Sequence, residues 1–284
     1  MKKNKGHIIF LIVIIFLVII ATSLIIIFNM KKTKEIKVSK EFIQLLYDNN
    51  MIENKNTVND IKYKSEKISD GTKEFYRVSA NEYGIDIDSN YNVIGFSNNL
   101  SSNFTTNGDI NEEQAREIAE KYIVALVKDN YMLKEAIDPG EKQVSYYSYR
   151  FTRYKDDYPF YNDTILINID KYTGFLSNYS NTSSQGEPKE VVINIDDSTA
   201  ENTALELFNS LNKNGVVDKT KEKTYRVYYD NKDKSDTELC YLVTISGVDI
   251  DDKEVQWKYF VSTETGEIIN YLRDTVSNTK ASGK

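Results

Sequence analysis

What most constrains this chain is a pattern that it writes twice. In "INEEQAREIAEKYIVALV", Ala115, Ile118, Ala119, Tyr122, Ile123 and Leu126 recur at steps of three and four, the period of one helix face. In "DDSTAENTALELFNSL", Ala200, Thr203, Ala204, Leu207, Phe208 and Leu211 fall at the same steps, 85 residues later. Asn111 and Gln114 form a capping-box pair ahead of the first run, and Ser198 and Glu201 offer the same pair ahead of the second. A fold for this sequence must therefore place two similar helices in two similar contexts.

Strand-type sequence follows each helix. "VSYYSYRFTRY" (144–154) alternates and is rich in Tyr, Phe and Thr, "KDDYP" reads as a turn, and "TILINID" runs into "KYTGFLSNY". The second copy reads "KTYRVYY", "TELCYLVTI" and "VQWKYFV", which runs into "STETGEIINY". Gly174 and Gly266 are expected at positive φ, closing a hairpin with a bulge. A weaker third copy opens with "SKEFIQLLYDNN" (39–50), where Ser39 would cap a helix presenting Phe42, Leu45 and Leu46. Its hairpin would place Asn92, the residue most tolerant of the left-handed region after glycine, where the others have glycine.

The expected fold class is α+β, an N-terminal transmembrane helix followed by tandem units, each a helix packed on an antiparallel sheet. The expected boundaries are a short tail at 1–7, an anchor at 8–28, a degenerate unit at 38–100, units at 110–182 and 190–276, and a flexible tail at 277–284. The anchor rests on an uncharged run from Ile8 to Phe28, long enough to cross about 30 Å of hydrocarbon. "ATS" at 21–23 is followed by more Leu and Ile, unlike a cleaved signal. Lys2, Lys3 and Lys5 precede the run, while Lys31, Lys32, Lys34 and Lys37 follow it, so charge does not set the orientation. Placement of the body outside the cell is the working expectation.

Residues 1–37 carry a net charge of +6 and the remainder −13, a balance that repels nucleic acid and anionic surfaces. The single histidine, His7, precedes the apolar run, so the body has no imidazole for general base chemistry, a Ser-His-Asp triad or a His-ligated metal. Cys240 is the only cysteine and sits in the strand-like "ELCYLVTI", as a small core residue would. "DIDSN" (86–90) lacks the Gly and Glu that a calcium loop needs, and its carboxylates read as turn residues. No cofactor and no metal are expected, and no residue is singled out as catalytic.

The candidate surface is the strand at 144–154. Tyr146, Arg150 and Tyr154 project to one side, and Tyr147, Tyr149 and Arg153 to the other. Tyr with Arg is an interface composition. Both readings stand at this level: a contact between units, or a site for a partner.

"INEEQAREIAEKYI" and "YSYRFTRYKDDYPFYNDTILINIDKYTGFLSNY" resemble the PepSY superfamily, in the longer form of the YcdB/YcdC repeats and of the spore-germination protein YpeB. "VQWKYFVSTETGEIINY" matches the family's terminal hairpin again, whereas "KDDYP" stands where the family has a glycine-bearing turn. The resemblance implies a membrane-tethered, extracytoplasmic, non-enzymatic protein of a Gram-positive bacterium. It also implies that the chain restrains or partners a peptidase, a cell-wall hydrolase or a sensor kinase. A ligand-sensing ectodomain for a peptide or glycan, or a hydrolase built on two carboxylates, remain the alternatives.

Overall fold

The computed structural model describes residues 34–69, 71, 73–99, 109–140, 144–183, 186–212, 216–217, 223–231, 236–248 and 253–275. The expected membrane span Ile8–Phe28 and the tails 1–7 and 277–284 lie outside them. Among the described residues no helix is long and apolar enough to cross a membrane.

Three helices occur among the described residues: α1 (34–48), α2 (Glu112–Leu126) and α3 (Asp197–Leu211). The strands are β1 (Tyr63–Ser69), β2 (Glu74–Ala80), β3 (Tyr83–Asp88), β4 (Val93–Asn98), β5 (Tyr131–Ile137), β6 (Tyr146–Lys155), β7 (Tyr158–Asp170), β8 (Leu176–Asn181), β9 (Val216–Val217), β10 (Lys223–Asn231), β11 (Asp236–Val248), β12 (Glu254–Ser262) and β13 (Ile268–Thr275). Strands predominate, which corrects the expected fold class. Among the described residues, tandem units each built as one helix on its own sheet do not describe the arrangement. The reason lies in strand length: β7 and β11 are 13 residues each and β6 is 10, against about 5–6 for a typical strand.

Two compact units interleave along the sequence. The first runs to Lys128 and adds Glu135–Arg150 and Leu166–Asn181; the second takes Asp129–Lys134, Phe151–Ile165 and everything from Thr182. Strands β5, β6 and β7 each give one part to one unit and the rest to the other.

In the first unit β1 to β4 form an antiparallel meander, and β4 pairs with β8. Helix α1 buries Phe42, Ile43, Leu46 and Tyr47, with the Phe42 ring 5.9 Å from Phe96 and 6.2 Å from Tyr179. Ser39 is not a cap. It lies within α1 and its Oγ donates to the Glu35 carbonyl at 2.9 Å. Helix α2 begins as expected: Asn111 accepts from the Gln114 N–H, and the Gln114 side chain accepts from the Asn111 N–H.

In the second unit β10, β11, β12 and β13 are antiparallel neighbours in that order. Helix α3 sets Ala200, Ala204 and Phe208 against Tyr241, Val243, Ile245, Val255, Trp257, Tyr259 and Val261. The two alanines bring the helix backbone close, and Phe208 meets Trp257 edge-on at 6.4 Å. Cys240 packs on the opposite sheet face with Val227, Tyr229, Leu242 and Phe260. The cap of α3 is Asp196, two residues before the expected Ser198; its carboxylate accepts from the Thr199 N–H and hydroxyl. Leu211, expected on the buried face, is exposed.

The hairpin turns follow one scheme with one exception. Gly174 (φ 72°) donates to the Asp170 carbonyl, and Gly266 (φ 76°) to that of Ser262, both at 3.0 Å. The first residue of each turn also accepts from the turn's own N–H groups, through Asp170 Oδ1 and Ser262 Oγ. In the third hairpin the left-handed residue is Tyr91 (φ 69°), not Asn92, because this turn is one residue shorter: Tyr91 N–H donates to Asp88 O. Tyr91 stacks on Tyr76 at 5.8 Å, and Lys34 Nζ lies 3.7 Å above its ring.

Candidate functional site

The first half of β6 lines a cleft of about 680 Å³ that lies wholly within the first unit. Its wall is Tyr146, Tyr147, Ser148 and Tyr149 from β6, with Ile137, Asp138 and Pro139 from the end of β5, Val144, Glu112 at the start of α2, and Lys171 from the Asp170 hairpin. The segment after β5 turns sharply: Asp138 Oδ1 accepts from the N–H of Gly140, which holds φ 63°.

The lining elements are fixed to one another by hydrogen bonds that the lining residues themselves make. Tyr149 is buried, and its hydroxyl donates to the Glu112 carbonyl at 2.6 Å, tying β6 to the first turn of α2. Burial pushes this phenol up to about 12. Ile110 N–H donates to Lys171 O, and Lys171 N–H to Ser145 O, so the hairpin, the α2 leader and β6 share one backbone network. Ser148 Oγ donates to Asn168 Oδ1 at 2.8 Å. Gly174 is required here on two counts: its positive φ, and Ile118 Cδ1, which would lie 3.2 Å from an added Cβ.

The charge arrangement is layered. Lys171 is half-buried; its ammonium donates to Val144 O at 2.9 Å and sits 5.0 Å from the Tyr147 ring centre. Among the described residues no carboxylate lies within ion-pair distance of it. Glu112 and Asp138 are exposed. The cleft thus holds a cation among phenols, with carboxylates toward solvent. Among the described residues no group of His, Cys, Asp and Glu could hold a metal ion.

The six residues singled out in the sequence separate into different roles. Tyr146 and Tyr147 are half exposed and line the cleft; Tyr149 lines it but is buried and serves α2. Arg150 is half exposed and hydrogen-bonds Glu135. Tyr154 is half exposed, and its N–H donates to Asn130 O at 2.8 Å. Arg153 is buried at the centre of a hub in the second unit. It meets Asp129 at 3.0 Å, Asp163 at 3.3 Å, Glu187 at 3.4 Å and the Gly186 carbonyl at 2.9 Å, with Phe160 beneath its guanidinium at 4.4 Å. Its surface is spent inside the fold. The sequence reading missed Lys171, Asp138 and Pro139, whose place in the cleft depends on how the hairpin and the β5 end meet β6.

The model of the YcdB, YcdC repeated domain matches residues 36–183, more than half of the chain. The chain belongs to that family. The match begins in α1 and ends just beyond β8, so the whole lining of the cleft falls inside the YcdB/YcdC domain. It covers both stretches 38–100 and 110–182 and stops before 190–276. No curated protein matches the chain.

Proposed function

We propose that this chain is a non-enzymatic, extracytoplasmic binding and regulatory protein whose YcdB/YcdC domain receives an extended segment of another protein in the β6 cleft. The carrying observation is Lys171, whose ammonium has no carboxylate within ion-pair distance among the described residues and lies over the Tyr147 ring in a cleft that Tyr146 also lines. Tyr146 and Tyr147 offer flat apolar area at low entropic cost, and Lys171 calls for a carboxylate on the incoming segment. A peptidase, a cell-wall hydrolase or a sensor kinase is the partner class we propose. Kinship with the PepSY superfamily and with YpeB belongs to the same proposal; the T-G hairpins at Gly174 and Gly266 support it.

The test is site-specific photo-crosslinking of the full chain in its native cells, with the cross-linker at Tyr146 and, as control, at exposed Lys121 on α2. One protein adduct is expected at Tyr146 alone, lost in a Lys171→Glu background. Equal adducts at both positions, or none at Tyr146, would sink the reading.

A second reading is favoured by size. A cleft of about 680 Å³ falls in the usual range of about 300–1,000 Å³ for small-ligand sites. A short acidic peptide or an acidic glycan would then be the signal. Ligand titration that raises the melting temperature of the purified chain without any protein partner would select it.

A further inference from the structure

We propose that two copies of this chain pair edge to edge through β13. Among the described residues β13 pairs with β12 and nothing else, so one row of its backbone groups faces outward. The Tyr271 N–H is met at 2.8 Å by the Oδ1 of its own neighbour Asn270, a local substitute that a strand carbonyl can replace.

The open edges differ in where their charges sit. β1 exposes Lys64, Glu66 and Lys67, and β5 exposes Lys134 and Glu135, charges that discourage a second strand. β13 exposes Arg273 and Asp274, of opposite sign, toward its C-terminal end, while its middle, Asn270, Tyr271 and Leu272, is uncharged, with Tyr271 44% and Leu272 36% accessible.

The strand also complements itself. A two-fold antiparallel register centred on Leu272 places Leu272 against its own copy and Tyr271 against the copy's Arg273. Tyr271 and Arg273 already share a face, each lying beside the Trp257 ring at 5.5 and 5.6 Å. A guanidinium beside a phenol is a favourable cross-strand pair. Asp274, ion-paired with Lys258 at 3.0 Å, would oppose the neutral Asn270, so like charges do not meet. Centring on Arg273 would instead oppose two guanidinium groups. The irregularity opposite Phe260 and Val261 ends the regular edge near Ile268, leaving Asn270 to Asp274 for pairing. So short an interface makes a weak dimer that forms with rising concentration.

The test is light scattering on the full chain from low micromolar to millimolar concentration, beside the Leu272→Lys variant. A mass that climbs to the dimer in the parent, with dimerisation weakened about tenfold or more in the variant by two opposed lysines, is the expected result. A monomer throughout, or a dimer that Leu272→Lys leaves intact, would overturn the pairing. Amide exchange on the parent reads the edge independently of the variant's folding. Protection at Tyr271 and Arg273 must grow with protein concentration, and concentration-independent exchange there would also overturn it.

Discussion

The two halves of β6 carry similar residues and do opposite work. Tyr146 to Tyr149 line an open cleft, and Arg150 beside them holds a single partly exposed carboxylate, Glu135. Phe151 to Lys155 are packed into the second unit, where Arg153 gathers three carboxylates and a carbonyl from the segments around 129, 163 and 186–187. Tyr and Arg side by side therefore mark an accessible surface only where neighbouring elements leave room. The β5 end and the Asp170 hairpin leave a cleft beside the first half, whereas Asp163 and Glu187 are ion-paired to Arg153 in the second.

The sharpest way to break this contrast is to remove each arginine. Arg153→Met takes the guanidinium away from Asp163, 2% exposed, breaking a buried ion pair, and should cost about 3–5 kcal/mol in denaturant unfolding. Arg150→Met should cost at most about 1 kcal/mol, as an exposed pair does. Equal costs would mean that the second half of β6 is no more locked than the first.

Tyr149 marks the boundary between the halves. Tyr149→Phe removes its bond to Glu112 O and should cost about 1–2 kcal/mol near neutral pH. Burial holds the Tyr149 and Tyr228 phenols at about 12 in the fold, while unfolded tyrosines ionise near 10. Above about pH 10 the unfolded chain thus binds fewer protons than the folded one, so stability is intact below that pH and falls as pH climbs toward 12. Denaturant midpoints should decline through this window, less steeply in Tyr149→Phe than in the parent. A flat profile would place these phenols in contact with water.

The smallest effect belongs to the turn that ends β6. Asp156 (φ 47°) and Asp157 (φ 65°) both hold positive φ, the two-residue type I′ arrangement that favours glycine second. Asp157→Gly should stabilise by about 0.5 kcal/mol, read as a higher denaturant midpoint. A loss of stability would show that the Asp157 side chain itself supports the turn.

Much of the local structure was legible in the sequence because it is local. The α2 capping box, the matching lengths of α2 and α3, and the positive φ of Gly174 and Gly266 all follow from spacing within a few residues. The cap of α3 was misplaced because Asp196, Asp197, Ser198 and Thr199 are consecutive cap-competent residues, and only the geometry selects among them. Asn92 was preferred to Tyr91 by propensity, yet a turn shorter by one residue moves the left-handed position back onto the tyrosine. The fold class failed for a different reason. Alternation identifies a strand but not how far it runs, and it is the length of β6 and β7 that lets one strand serve two units. The cleft was half legible: its tyrosines are conspicuous in the text, whereas Lys171 and Asp138 reach it from turns distant in sequence.

The burial of Cys240 has a practical use. This sole thiol is fully enclosed within β11, and desolvation raises its pKa far above the ordinary thiol range. A thiol reagent can modify it only during moments when β11 is exposed, so labelling rates measured against time give the opening frequency of the second unit directly. The native chain carries that stopwatch without any engineered probe.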